Sequence, residues 1–545
     1  MRFLYLFLLL PILSCQTPVT YDIVLQNTTI YDGSGEVPYL GDIGINADTI
    51  AVIGKPNSLK GENIVALDEL ATAPGFINML SWANVALLED GRSQSDIRQG
   101  VTLEVMGEGS SMGPLTEEMK TAMKEGQVDI NFDIPWTTLG EYLTHLEQKG
   151  VSPNIASFVG NGTLRQHVIG FENRPATIIE LEQMKQLTQE AMEQGAVGIS
   201  SSLLYAPSSY ANTEELIELA KVAGKYNGMY ISHIRDEGNK LLESLDELIQ
   251  ISKEANIAAE VYHLKASAKP NWYKLDLALA KIDSARSAGL PITADIYTYN
   301  ASSTGLHVQL PDWVREGGID TMLERLQDSE NRKRAIKELE FRNAPETILF
   351  VGFKNEALRK YIGKYLPEVA QELGKSVEET LVDLIIEDGS RIQVVYFSMS
   401  EENIQKKMAV PWISFCSDAG SYTNEGVFIK QSTHPRAYGS FIRVLGKFAR
   451  DEQVITLAEG IRKLSALPAE NLKLKKRGSL ISGNFADIVV FDPDKVTDKA
   501  TFTDPHQYAE GVIHVFVNGT AVLKNGEHTG ATPGRFVKGP GYTGK

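Results

Sequence analysis

The chain has 545 residues, 43% of them hydrophobic, and a formal net charge of -17. That apolar content is enough for a large core plus a second, smaller domain. The charge is spread along the chain with no Lys/Arg-rich run, which argues against a nucleic-acid partner, because phosphate binding needs clustered positive charge.

The first residues, MRFLYLFLLLPILSCQTP, carry one positive charge, an apolar run too short to span a bilayer, and a small residue immediately before Cys15. This is the pattern of a bacterial lipoprotein signal. Residues 1–20 are therefore expected to be signal and tether, with Cys15 acylated as the first mature residue. The protein is then exported to the periplasmic side of a membrane or the cell surface and touches the membrane through its lipid alone. Cys416 is left as the only cysteine of the body, so no intrachain disulfide is available.

From Tyr21 to about Ala73 the pattern is short and alternating, YDIVLQNTTIYDG then DIGINADTIAVIG, with Gly and Asp-Gly turns between. The far end repeats it in ADIVVFDPD and GVIHVFVNGTAVLKNGE. One small β-sandwich assembled from residues 21–73 and 469–545 is expected. Residues 74–468 alternate apolar strand-like runs with helix-like stretches such as LEQMKQLTQEAMEQG and TEELIELAKVAGKYNG. The runs are APGFINML, TLEVMGEG, NIASFVGNG, AVGISSSLLY, GMYISHIR, AEVYHLKAS, PITADIYTYN and VPWISFCSDAG, and eight of them fit an α/β fold of the (β/α)8 barrel type. The long interval between the seventh and eighth, about 305–409, reads as an inserted subdomain able to cover the barrel mouth.

Working residues of such barrels project from the C-terminal strand ends. Those ends carry Glu108, Tyr205, His233, His263 with Lys265, Tyr297 and Asp418. His233 and His263 are one βα unit apart, so adjacent strands present two imidazoles to one cavity, which is ligand geometry for a divalent metal. Asp418 closes the last strand in FCSDAG and is placed to act as a general base toward a metal-activated water; the competing role is a helix N-cap. Arg165 and Arg235 read equally as structural ion-pair residues, and His434 as a turn residue.

The segments APGFI, QGVTLEV, GAVGISSSLLYAP, ISHIRDE, YHLKAS, ADIYTYNASST, SDAG and HPRAYGSFIRVLG occur in that order over nearly the whole mature length. Together they resemble the D-aminoacylase (N-acyl-D-amino-acid deacylase) branch of the amidohydrolase superfamily. The resemblance implies His233 and His263 as metal ligands, Asp418 as the catalytic base, and Lys265, Tyr297, Ser303 and Arg436 around the carboxylate of a small N-acyl-D-amino acid; Tyr205 reads separately as orienting the scissile carbonyl or packing under the lid. Two departures are plain. The superfamily's first-strand H-x-H is replaced by Leu80-Ser81-Trp82, and the cysteine ligand of the branch falls where this chain has Gly107-Glu108-Gly109. Glu108 is the expected substitute, because a carboxylate oxygen binds zinc at a distance comparable to imidazole nitrogen and carries the charge of a thiolate. The expectation is one divalent ion, Zn2+, and hydrolysis of a linear amide. The alternatives are a hydrolase of cyclic amides or dipeptides, or a degenerate barrel that binds a ligand without turnover. A hydantoinase-like dinuclear design lacks both its H-x-H and a lysine in GISSSLLY. The sequence leaves the oligomeric state open.

Overall fold

The computed structural model describes residues 20–544, so the lipidation expected at Cys15 lies outside it. Among the described residues no helix is long and apolar enough to cross a membrane.

The middle of the chain is a (β/α)8 barrel. Its strands are β1 (Phe76–Ser81), β2 (Val101–Met106), β3 (Asn154–Ser157, continued by Val159–Gly160), β4 (Gly198–Ser202), β5 (Met229–His233), β6 (Ala258–Val261), β7 (Ile292–Ile296) and β8 (Ile413–Phe415). Successive strands pair in parallel from β1 to β7, β7 pairs with β8, and a bridge from Ser81 to Ala419 closes the ring. Each of the eight apolar runs supplies one strand. Their inward side chains, among them Ile77, Val105, Phe158, Ile231 and Cys416, fill the barrel rather than leaving a pore. The outer helices begin where the sequence offers an N-cap. Thr177 and Glu180 form a reciprocal capping box on Ile178–Glu193, and Asn212 caps Thr213–Lys225. The second of these helices buries Leu216, Leu219, Ala220 and Ala223, the stripe that its 3.6-residue period turns toward the strands.

The two ends of the chain meet in one nine-stranded sheet, the small β-sandwich domain. Strand Thr20–Ile30 pairs with Lys60–Ala66 along its first half and with Ala71–Pro74 beyond an irregularity at Asn27, whose φ is 57°. Changing partner at such a bulge lets one strand serve two layers. Ile488–Phe491 then pairs with Ala71–Pro74, and Leu25, Ile43, Ile50, Ile488 and Phe516 share a core.

Two expected boundaries move. Residues 531–544 leave the sheet and run along the barrel: Phe536 bridges Ile155, Val537 donates to the Ile155 carbonyl, and Gly539 to that of Gly195. The buried ring of Phe536 fixes this course, since it packs into the barrel core. The insertion is also shorter than 305–409. It is a three-stranded antiparallel sheet, with Gln393–Tyr396 between Ser302–Gly305 and Ile348–Gly352, covered by helices including Val377–Asp388 and having its own core of Leu326, Phe350, Leu381 and Val394. Helix Glu401–Met408 belongs to the barrel instead, because Ile404 and Met408 pack into the barrel core.

Candidate active site

Backbone conformation at the strand ends decides which side chains reach the barrel mouth. Glu108 follows β2 between two glycines with φ of 99° and 63°. A Cβ on Gly107 would lie 2.4 Å from the Phe158 carbonyl oxygen, and one on Gly109 2.6 Å from the Ser202 nitrogen. Only glycine fits these left-handed positions, and the turn they make holds Glu108 buried at the mouth. His263 after β6 (φ 36°) and Asp418 after β8 (φ 49°) are non-glycine residues in the same region, a strain typical of sites where the surroundings dictate direction.

Glu108, His233 and His263 meet as expected. One oxygen of Glu108, Nδ1 of His233 and Nε2 of His263 approach to 2.9 Å and 3.1 Å, and one ligand atom from each residue lies within 4.8 Å of the others. All three are buried. Burial opposes ionisation of Glu108, yet the hydrogen bonds from the two imidazoles outweigh it and hold the carboxyl well below its usual range. At His263, burial and Lys265 favour the neutral ring, but Glu237, Asp418 and Glu108 prevail and the imidazolium is pushed up to about 10. A cation is the natural replacement for that proton. Two imidazole nitrogens and one carboxylate oxygen suit a borderline divalent ion, so the donor set fits the metal expected from the sequence.

Glu237, which the sequence reading passed over, completes this arrangement. It lies four residues after His233 in HIRDEG, and its Oε1 sits 3.0 Å from His263 Nδ1 and 2.6 Å from Lys265 Nζ. Burial works against its charge, but Lys265 and both histidines hold its carboxyl well below the ordinary range. For His263 to offer the Nε2 lone pair to an ion, its proton must sit on Nδ1, and Glu237 accepts from there. Lys265 is thereby tied to Glu237 and lies 2.7 Å from His263 Nδ1.

Asp418 is held by both oxygens. Trp82 Nε1 donates to Oδ1 at 3.2 Å, and Arg436 Nη1 lies 2.7 Å from Oδ2. Burial raises the Asp418 carboxyl above its usual range, opposed by Arg436. Arg436 is itself buried, and neither Nη1 nor Nε has an aligned hydrogen-bond acceptor, so the guanidinium keeps donor capacity beyond the ion pair. Its backbone N–H donates to His434 Nδ1, while His434 Nε2 faces the Ala301 carbonyl at 2.9 Å. Burial, then Arg436, keeps that histidine neutral, and it sets the start of helix Arg436–Arg443. Tyr297 is not a cavity wall. Its ring lies beneath both cations, 4.5 Å from the Arg436 guanidinium carbon and 5.7 Å from Lys265 Nζ.

These groups open onto a cavity of about 1050 Å³ roofed by the insertion. The Tyr205 ring packs against His233 and its hydroxyl meets Thr304 Oγ1 at 2.7 Å. Ser303 lines the cavity too, but its hydroxyl donates to the Val394 carbonyl and accepts from Gln393, so its recorded contacts lie within the insertion sheet and not with Lys265 or Arg436. Asp129, from the loop after β2, binds Arg359 of the insertion at 2.8 Å and Gln431 of the loop after β8 at 2.6 Å, tying the roof to the barrel. Arg165 and Arg235 form ion pairs with Glu215 and Glu247.

The amidohydrolase family model matches residues 432–523. The chain is 32% identical over 518 residues to the D-aminoacylase of Alcaligenes xylosoxydans xylosoxydans, an alignment covering 95% of this chain and 97% of that one. A D-aminoacylase structure described as having a binuclear metal centre, with one-metal activation and second-metal attenuation, superposes with TM-score 0.80 at 29% identity, covering 95% and 100% of the two chains. The N-acyl-D-glutamate deacylase of Bordetella bronchiseptica, complexed with zinc and a phosphonate mimic of the tetrahedral intermediate, gives TM-score 0.80 at 27% identity with the same coverage.

Proposed function

The chain belongs to the D-aminoacylase family of amidohydrolases and is a metal-dependent amide hydrolase; from that premise we propose that it deacylates N-acyl-D-amino acids to a D-amino acid and a carboxylic acid. The ion is one Zn2+, held by Glu108, His233 and His263. The observation that carries this reading is the joining of a three-donor cluster and a clamped carboxylate on one cavity.

A divalent ion at the three donors supplies Lewis acidity to the amide carbonyl. Asp418 accepts a proton from the attacking water as its oxygen bonds to the carbonyl carbon. The same carboxyl returns the proton to the amide nitrogen as the C–N bond breaks, releasing amine and acid. Arg436 and Lys265, both above Tyr297, bind the α-carboxylate, and the spare donors of Arg436 favour this role. The insertion sets the D-side-chain and acyl preference from above. The leader ending at Cys15 supports an exported, lipid-anchored enzyme.

The test is hydrolysis of N-acetyl-D- and N-acetyl-L-amino acids by protein purified with its metal counted. Turnover of D-substrates with one ion per chain is expected. An ion-loaded protein that hydrolyses no member of a broad D-panel is a binder, and the reading falls.

A further inference from the structure

The replacement of H-x-H by Leu80-Ser81-Trp82 has a structural counterpart. Backbone bonds join the ends of β1 and β8, Asp418 N–H to the Leu80 carbonyl at 2.9 Å and Trp82 N–H to that of Ala419 at 2.9 Å. This stitch sets the Trp82 indole beside the Asp418 carboxylate, 336 positions away in sequence, with Nε1–H directed at Oδ1. Leu80 is fully buried in the barrel interior. An aliphatic side chain and an indole offer no lone pair to an ion, so this side of Asp418 lacks the donors a second metal needs. We propose that Trp82 is a positioning residue: its N–H, and not a second ion, orients the Asp418 carboxylate, at a site whose residues supply donors for one ion.

The physical case rests on what each oxygen touches. Trp82 donates a hydrogen bond to Oδ1 and the Arg436 guanidinium forms an ion pair at Oδ2, so contacts on opposite oxygens restrain the rotation of the carboxylate plane. A single donor would leave that torsion soft, since the terminal sp³–sp² bond of aspartate is broad. An indole N–H is also neutral. It orients the carboxylate without the two positive charges of an ion, which would hold it ionised and depress its basicity. Trp82 is 37% exposed and lines the cavity, so the ring is not there chiefly to fill the core.

The proposal rests on Asp418 being the acylase base, and its test separates failure of the two. Metal is counted first, after saturation with zinc and removal of the excess, with no substrate involved. Wild type should retain one ion per chain, and the double variant Leu80→His/Trp82→His should retain two. A wild type that holds two ions overturns the proposal whatever its activity. Trp82→Phe, which keeps the ring and removes the N–H, should lower kcat by about 10- to 100-fold, the range for one hydrogen bond to a charged group, with KM, metal content and Tm unchanged. Trp82→His alone restores an N–H donor and should recover part of that kcat at one ion per chain. Unchanged kcat in Trp82→Phe, or a rise in KM at constant kcat, refutes the positioning role and makes the indole inert or a substrate wall.

Discussion

Arg436→Ala separates two jobs that the structure gives one side chain. Arg436 is 4% exposed, and its guanidinium lies 2.7 Å from Asp418 Oδ2 and keeps donors without aligned acceptors. Losing its contact with a substrate α-carboxylate removes one partner of a buried charge pair, about 2 to 4 kcal/mol, or roughly 30- to 900-fold in kcat/KM. The C-terminal amide of the same N-acyl-D-amino acid carries no such charge and should lose only what Asp418 loses. That second loss has its own signature. Burial already raises Asp418 and Arg436 opposes the rise, so without the guanidinium the carboxyl moves higher still. A base works only when ionised, so the acid limb of the pH profile should shift to higher pH for both substrates. Steady-state kinetics of acid and amide across pH reads both effects. Equal losses on the two substrates would show that Arg436 makes no carboxylate contact, and an unmoved acid limb would deny its hold on Asp418.

Other consequences are as direct. Glu108→Gln keeps the shape but removes the only negative charge among the three donors, so zinc measured by elemental analysis should drop below one per chain and turnover should fall with it; full metal and full rate would make the carboxylate structural. Cys15→Ala should release active protein from the membrane fraction into the soluble one, whereas continued membrane association would deny the lipobox. His307, buried in the insertion, is pushed down to about 3 by burial and then by Arg391 and Arg315. Its folded pKa is depressed, so its contribution is fully present above the unfolded value near 6.5 and is lost as pH falls toward the folded one, about 3 kcal/mol by pH 4. Thermal unfolding should accordingly show wild type losing ground to His307→Gln between pH 7 and 4, and parallel Tm curves would contradict the assignment.

The barrel was legible because each strand is an apolar run ending in a polar residue, and His233 and His263 repeat at the interval of one βα unit. The same rule found Tyr297, but a strand-end position cannot tell a wall from a floor, and its ring lies under the cations. Glu237 was passed over because an acid in HIRDEG reads as ordinary loop charge; only the fold brings it to 3.0 Å from His263. Trp82 was visible as a missing histidine and not as a donor, since its partner lies across the barrel closure. Ser303 followed from resemblance alone, and the insertion, whose strands pair far in sequence, decided where its hydroxyl is spent.

The stitch between Leu80, Trp82, Asp418 and Ala419 makes the ring's closing seam and the proposed base the same place. Glu108, His233 and His263 all precede β8 in the chain, so we expect a nascent chain lacking its eighth strand to carry the three donors before it carries Asp418. Metal uptake and catalytic competence should thus arrive as separate events in assembly. Such a chain would be loaded yet silent until its fold is complete.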